Sequence, residues 1–450
     1  MELYNKKISV IGAKKSGIAA AKLVKKLGGI PFVSDNSSEK NLTESIAILN
    51  EAGIRYEVGQ HSEKVFDAEL FVVSPGVPSD VPVIISAAEK GIKIISEIEL
   101  AYNFCKGKII AITGTNGKTT TTALTGHIFK TAGYKTYIAG NIGITAFSEI
   151  ALDVQPDEFV SLEVSSFQLD FIDKFKPAVG VILNITPDHL NRYKNEMRNY
   201  IFSKYRVTKN QTSRDVLIIN ADDRIFTEYP INTQSKVRFF SLSDTVANGI
   251  SIQNNQFILK EKNQVKFKCD VSELLIKGDH NKANAMAAIA AAVSFGLEEN
   301  SIKKALNTFP GVEHRIEFVR ELNGVKFIND SKATNVDSVW YALKSFEEPL
   351  FLILGGLDKG GDYNKIKDLV VQKVKKIYAI GDSADKVYNS FKDSVTVEKI
   401  DSLEECVTRG YSEAAPGDVL LLSPACASYD MFDNFEHRGK VFKETVQGLK

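Results

Sequence analysis

The chain has 450 residues, 44% hydrophobic and 25% charged. That is enough apolar material for buried cores in two to four domains, at roughly 100–200 residues each. Lysine plus arginine and aspartate plus glutamate both total 56, so the net charge is zero, which excludes a nucleic-acid binder relying on a global basic field but not a local anion site.

Cys105, Cys269, Cys406 and Cys426 form no CxxC pair. This speaks against a zinc site or disulfide framework and fits a reducing compartment. The apolar run at 8–11 is too short for a signal sequence, and no run of ~18 apolar residues follows. A cytoplasmic location without membrane contact is therefore expected.

The first 97 residues alternate short apolar runs with helical patterns. Strands are predicted at 7–12, 30–34, 70–74 and 92–95, with a helix at 17–27; this alternation implies a parallel sheet. The turn Gly12-Ala13-Lys14-Lys15-Ser16-Gly17 resembles a dinucleotide fingerprint with Lys14 in place of its middle glycine. That disfavours NAD but allows another phosphorylated nucleotide, with Asp35 where a ribose-binding acid often sits. A plain strand–helix turn remains an alternative.

A second region opens near residue 98. The predicted strand 108–113 runs directly into TGTNGKTTT (113–121). Glycines let successive N–H groups face phosphate oxygens, the helix start favours an anion, Lys118 supplies a cation, and the Thr119 hydroxyl suits Mg²⁺. The strict GxxxxGK[ST] spacing fails at Ile112, so the loop is a shorter variant beginning at Gly114. By itself it denotes nucleotide-triphosphate binding, without separating ligase from kinase or mechanical ATPase.

Further strands are predicted at 157–162, 179–185 and 216–220. Glu163 closes one of them, at the sheet edge where ligands bind, and suits Mg²⁺. His189, one of six histidines, follows another; it is either a metal ligand or a surface or capping residue. Lys204 has no role readable from spacing. Residues 236–275 read as an antiparallel edge meander with turns at 254–255 and 260–263. A helix at 281–295 follows, and the region closes near Pro310-Gly311.

The third region has predicted strands at 325–329, 350–354, 377–380 and 418–423, a doubly wound pattern. Three polar loops follow strands there: NDSKATN (329–335), LGGLDKGG (354–361) and SPACAS (423–428). Together they suggest a pocket. Cys426 has no evident histidine partner and reads as a small buried thiol.

These segments together resemble the Mur ligase family over essentially the whole chain. TGTNGKTT, GNIG (140–143), EVSSFQL (163–169), NITPDHL (184–190), DHNKAN (279–284), His314-Arg315, NDSKATN, LGG (354–356) and SPACAS carry the resemblance. The phosphate loop is shared with folylpolyglutamate synthetases. SSFQL, NDSKATN and SPACAS…NFEHRG are narrower and look like the D-glutamate-adding branch.

The resemblance implies an α/β fold of three domains. A Rossmann-like N-terminal domain (1–97) would bind the UDP-substrate. A P-loop-type central ATPase domain with an antiparallel edge meander (98–311) would bind ATP. A doubly wound C-terminal domain (312–450) would bind the amino acid. It further implies an ATP-dependent carbon–nitrogen ligase of peptidoglycan precursor synthesis, a monomer, with UDP-N-acetylmuramoyl-L-alanine and D-glutamate as substrates.

Residue by residue, Gly114, Thr115, Asn116, Gly117, Lys118, Thr119, Thr120, Asn284, Arg315 and Asp330 would hold ATP. Thr119 and Glu163 would bind one Mg²⁺, and His189 with an N-carbamylated Lys204 a second. Ser16, Asp35, Gly76, Asn141, Ser165 and His189 would hold the UDP-substrate. Lys332, Thr334, Lys359, Ser428 and Phe435 would hold D-glutamate. Lys118, Glu163, His189 and Lys204 would form the catalytic set.

The sequence departs from the family at three points. The common DHMDRY reads DHLNRY, which removes a charge at Asn191; Leu357-Asp358-Lys359 follows LGG; and Tyr429 stands where leucine is frequent. A Mur ligase adding another amino acid, a folylpolyglutamate synthetase, and a nucleotide-binding protein without turnover stay open as alternatives.

Overall fold

The computed structural model describes residues 1–142, 145–358 and 360–450. Two sequence-derived positions, Gly143 and Lys359, lie outside the described residues. Among the described residues the strands form three sheets, and the chain clusters into two compact units. One comprises Met1–Leu275 with Asn281–Phe309, the other Ile276–His280 with Pro310–Lys450.

The first sheet is wholly parallel: β1 (Lys7–Ile11), β2 (Ile30–Asp35), β3 (Arg55–Val58), β4 (Leu70–Val73) and β5 (Lys93–Ser96), in the order β3-β2-β1-β4-β5. Helix Lys15–Lys26 connects β1 to β2 and buries its alanine- and leucine-bearing face. Gly17, in the first turn of that helix, lies so close to the preceding turn that a Cβ would stand 1.8 Å from the Gly12 carbonyl oxygen. Only glycine permits that approach.

The second sheet contains β6 (Lys108–Thr113), β7 (Thr136–Gly140), β8 (Phe159–Glu163), β9 (Val179–Ile182), β10 (Val216–Asn220), β11 (Lys236–Ser241), β12 (Gly249–Gln253), β13 (Gln256–Glu261) and β14 (Gln264–Asp270). Its order is β14-β13-β12-β11-β10-β9-β6-β8-β7. β8 and β9 are buried throughout and β6 along all but its first residue, as expected for a parallel sheet covered on both faces. The antiparallel meander starts later than predicted: β11 and β12 pair in parallel, and only β12–β13 and β13–β14 are antiparallel.

The third sheet holds β15 (Glu317–Leu322), β16 (Val325–Asn329), β17 (Leu350–Gly355), β18 (Val374–Ile380), β19 (Thr396–Lys399) and β20 (Val419–Leu422), in the order β15-β16-β20-β17-β18-β19. β15 is antiparallel to β16 and the other pairs are parallel. The cysteines are free thiols. Cys426 is packed against the Tyr363 hydroxyl at 3.4 Å, and burial pushes its thiol pKa up, so it is a poor nucleophile.

Helix Glu97–Tyr102 joins the first and second sheets within one continuous core. Glu99 accepts from the backbone N–H groups of Asp173, Lys174 and Phe175 at 3.0, 3.0 and 2.8 Å. Glu97 accepts from Ser148 N–H. Burial, opposed by the Ser148 bonds, raises the Glu97 carboxyl to about 7 from an ordinary 4.5.

A raised folded-state value means that the folded chain holds this proton more tightly than the unfolded chain. The contribution is fully present below pH 4.5 and is lost as the pH rises through about 7. Glu97→Gln does not titrate, so it should gain on the parent across that window by about 3 kcal/mol. Urea unfolding of both proteins at about pH 4 and about pH 8 checks this; a pH-independent difference would contradict it.

Candidate functional site

The site grows from strand order. β6 lies between β9 and β8, with Ile112 beside Glu163 and Thr113 beside Ile182. The loops after three adjacent strands therefore leave the sheet side by side, at its carboxyl edge.

β6 passes through Gly114 and Gly117 (φ 147° and 84°) into helix Lys118–Thr131. A Cβ on Gly117 would meet Asn284 Oδ1 at 2.3 Å, so Asn284, one of the residues expected to hold ATP, packs directly on the phosphate loop. Asn184, after β9, fastens that loop. Its carbonyl accepts from Thr115 N–H at 2.9 Å, its Oδ1 from Asn116 N–H at 2.8 Å, and its Nδ2 donates to the Asn116 carbonyl at 3.0 Å. Thr115 Oγ1 accepts from Thr186 N–H at 3.0 Å and lies 3.1 Å from Tyr200 OH. Sequence reasoning gave Asn184 and Tyr200 no role; only the position of Asn184 in NITPDHL hinted at one.

Two lysines converge on one oxygen. Lys118 Nζ and Lys204 Nζ each donate to the Gly114 carbonyl at 2.9 Å, and Lys118 also reaches the Thr115 carbonyl at 2.8 Å. Lys204, in helix Met197–Tyr205, is 2% exposed and lies 4.4 Å from the Tyr200 ring centroid. Burial first, and the Lys118 charge second, hold its amine well below the usual lysine range. Both effects shift the amine toward its neutral form.

Glu163 ends β8 and is 2% exposed. Its Oε1 accepts from Asn141 Nδ2 at 3.3 Å, while its buried Oε2 has no hydrogen-bond partner among the described residues. A buried carboxylate oxygen left over beside a phosphate loop suits a hard cation. Thr119 is buried on the first turn of the adjoining helix. His189 adopts φ 51°, with Nε2 3.6 Å from Asp188 and its ring against Phe167.

A separate cavity of about 830 Å³ is lined by Gly12, Lys14, Ser16, Asp35, Gly76 and Asn141, among others. Asp35 accepts from Ala13 N–H at 2.7 Å and Ser37 N–H at 2.8 Å. Burial works against its carboxylate, but those bonds hold the pKa below the ordinary value. His61 also lines the cavity, 2.7 Å from Ser34 Oγ, and carried no sequence signal. Of the six predicted UDP-substrate residues, Ser16, Asp35, Gly76 and Asn141 line this cavity; Ser165 and His189 do not. The Ser165 hydroxyl caps helix Ser166–Asp170 in a reciprocal box with Gln168.

In the other compact unit, Asp330 is buried. It accepts from Ser423 Oγ at 2.7 Å and Ile316 N–H at 3.2 Å, and burial raises its carboxyl to about 7. The Arg315 charge partly opposes that rise. Lys332 Nζ lies 4.9 Å from the Phe435 ring centroid, and Ser428 is buried. Thr334 N–H is tied to the Lys332 carbonyl at 2.9 Å. Arg438, unassigned from sequence, joins two of the loops: it donates to the Ser331 carbonyl at 2.7 Å and the Cys426 carbonyl at 3.1 Å.

Comparison with known proteins adds three domain matches. Residues 6–96 match the Mur ligase MurD-like N-terminal domain, 112–292 the Mur ligase middle domain, and 314–426 the Mur ligase glutamate ligase domain. The chain is similar to proteins named UDP-N-acetylmuramoylalanine--D-glutamate ligase. That from Chloroherpeton thalassium is 44% identical, covering 100% of this chain and 99% of the relative. That from Clostridioides difficile is 42% identical, covering 100% of both. Among solved structures, the UDP-N-acetylmuramate-alanine ligase of Thermotoga maritima matches 99% of this chain and 100% of its own, with a TM-score of 0.66 at 20% identity.

Proposed function

The chain belongs to the Mur ligase family, and from that premise we propose that it is the ligase joining D-glutamate to UDP-N-acetylmuramoyl-L-alanine, driven by ATP, in peptidoglycan precursor synthesis. The observation that carries this reading is the cradle around Gly114. Two lysine amines and a buried glutamate with a spare oxygen surround a phosphate loop whose backbone is already braced.

The chemistry follows from these groups. A carboxylate resists attack by an amine until it has a good leaving group. The substrate carboxylate oxygen attacks the γ-phosphorus, ADP leaves, and an acyl phosphate forms. The D-glutamate amine then attacks the acyl carbon and loses a proton, and phosphate departs with the C–O bond electrons. The loop N–H groups of residues 114–120, with Lys118, hold and neutralise the phosphates. Thr119 and Glu163 would hold one Mg²⁺, and His189 with Lys204 a second; the metal supplies further charge neutralisation.

A neutral, buried Lys204 amine can add to CO₂: its lone pair forms the N–C bond and a proton leaves to solvent. The resulting carbamate is an anion, which turns repulsion from Lys118 into attraction and gives a cation a ligand.

The remaining assignments belong to the same reading. Asn284, Arg315 and Asp330 serve the nucleotide. Ser16, Asp35, Gly76, Asn141, Ser165 and His189 serve the UDP-substrate, and Lys332, Thr334, Lys359, Ser428 and Phe435 serve D-glutamate. The three domains are 1–97, 98–311 and 312–450, and the enzyme works as a cytoplasmic monomer. Among the described residues no helix is long and apolar enough to cross a membrane.

ADP release measured with UDP-N-acetylmuramoyl-L-alanine and a panel of amino acids tests the whole reading. Sustained release should require D-glutamate. Equal release with L-alanine or a diamino acid would overturn the substrate assignment, and ATP binding without substrate-dependent release would overturn the enzyme assignment.

A further inference from the structure

Arg192 follows His189 on the turn Leu190–Tyr193, yet its guanidinium reaches across to the first sheet. Its carbon lies 3.8 Å from the Phe167 ring centroid, so the planar group is stacked in place. Nη1 donates to the Pro75 carbonyl at 3.2 Å and the Gly76 carbonyl at 3.4 Å, and Nη2 to the Val77 carbonyl at 2.7 Å. These three carbonyls belong to the segment after β4 that walls the 830 Å³ cavity.

A trans peptide points its N–H opposite to its C=O, and no peptide bond among the described residues is cis. Holding the Pro75 carbonyl toward Arg192 therefore turns the Gly76 N–H the other way. That N–H donates to no carbonyl of the described residues, whereas the next one, on Val77, donates to the Ser74 carbonyl at 3.0 Å. Gly76 borders the cavity, and the space where its Cβ would stand holds no atom within 4 Å. The same cavity is also lined by Lys14, Lys15 and Ser16, at the start of helix Lys15–Lys26. A free N–H, a helix start and two lysines around one cavity suit a diphosphate.

We propose that Arg192 is a positioning residue for the UDP-substrate: its fork sets the peptide plane that presents Gly76 N–H to the diphosphate. The same side chain ties the nucleotide wall to the turn carrying His189. The inference rests on the cavity being the UDP site. Lysine cannot replace the fork, because one ammonium does not span three carbonyls in a plane.

The test compares UDP with uridine, which lacks the phosphates, by calorimetric titration of the parent, Arg192→Met and Arg192→Lys. The parent should bind both ligands. In Arg192→Met the UDP dissociation constant should rise about tenfold, with uridine unchanged. In Arg192→Lys, which keeps the charge, UDP binding should stay several-fold weaker. In turnover, KM for the UDP-substrate should rise while KM for ATP does not.

Equal weakening of UDP and uridine would mean general loosening of the wall and would overturn the proposal. Full recovery in Arg192→Lys would make charge rather than orientation the cause, and would also overturn it. Phe167→Leu keeps the guanidinium but removes its stacking face, together with ring contacts to His189 and Tyr193, and gives a milder variant with the same expected UDP-selective defect, should Arg192→Met fold poorly. A parent that binds no UDP would instead remove the cavity's assignment, a failure distinguishable from that of Arg192 alone.

Discussion

Lys118→Ala should lower substrate-dependent ADP release by ~10²–10³-fold, the loss seen when one preorganised charge at a developing anion is removed. The residue opens helix Lys118–Thr131, and its amine is held by the Gly114 and Thr115 carbonyls. Alanine suits a helix start, so the thermal unfolding midpoint should hardly move. The loss should appear in kcat as well as in kcat/KM, because the phosphoryl group carries most charge during transfer. A parent-like rate in Lys118→Ala would remove the phosphate loop from the mechanism.

Lys204→Met should cost ~10²-fold or more in kcat. Methionine roughly keeps the buried volume, so packing alone cannot explain such a fall. An unmodified amine offers a metal nothing while it carries a proton; a carbamate offers an oxygen. The parent protein, equilibrated with carbon-13 bicarbonate, should therefore show a carbamate resonance that Lys204→Met lacks. A short carboxylate such as acetate should restore part of the activity in Lys204→Ala, whose short side chain leaves room for it. Absence of the resonance together with full activity in the parent would sink the carbamate. Lys118 and Lys204 donate to the same oxygen, so their substitutions should not combine additively.

Much of this protein is readable from its residues in order. The predicted strands 108–113, 216–220 and 325–329 coincide with β6, β10 and β16, and their neighbours differ by a few terminal residues. These strands are mostly buried, so β6 and β10 show near-continuous apolar runs, and β16 one broken only by Lys326. The strands that were not predicted, β3, β7, β15 and β19, all stand at the edge of a sheet. β3, β15 and β19 have no fully buried residue and mix charged with apolar residues. An edge strand takes its identity from one hydrogen-bonded neighbour, not from a two-sided core. The parallel β11–β12 pair was missed for a related reason: short alternating segments read alike whichever way they run.

The candidate phosphate-loop residues could be named from their motif because a phosphate loop needs glycine, lysine and threonine in a fixed local order. Chain order thus determined the α/β class and the phosphate-loop motif, which depend on neighbours within a few positions; the wider set of candidate ligand residues, Lys204 among them, came from the family resemblance. It could not identify Asn184 clamping the loop, His61 on the cavity wall, Arg438 joining two loops, or Arg192 steering a peptide plane 116 residues away. Nor could it show that Lys204 is buried beside a second lysine. Those facts depend on strand order and burial, which bring distant side chains within hydrogen-bonding distance and change the charge an amine can carry.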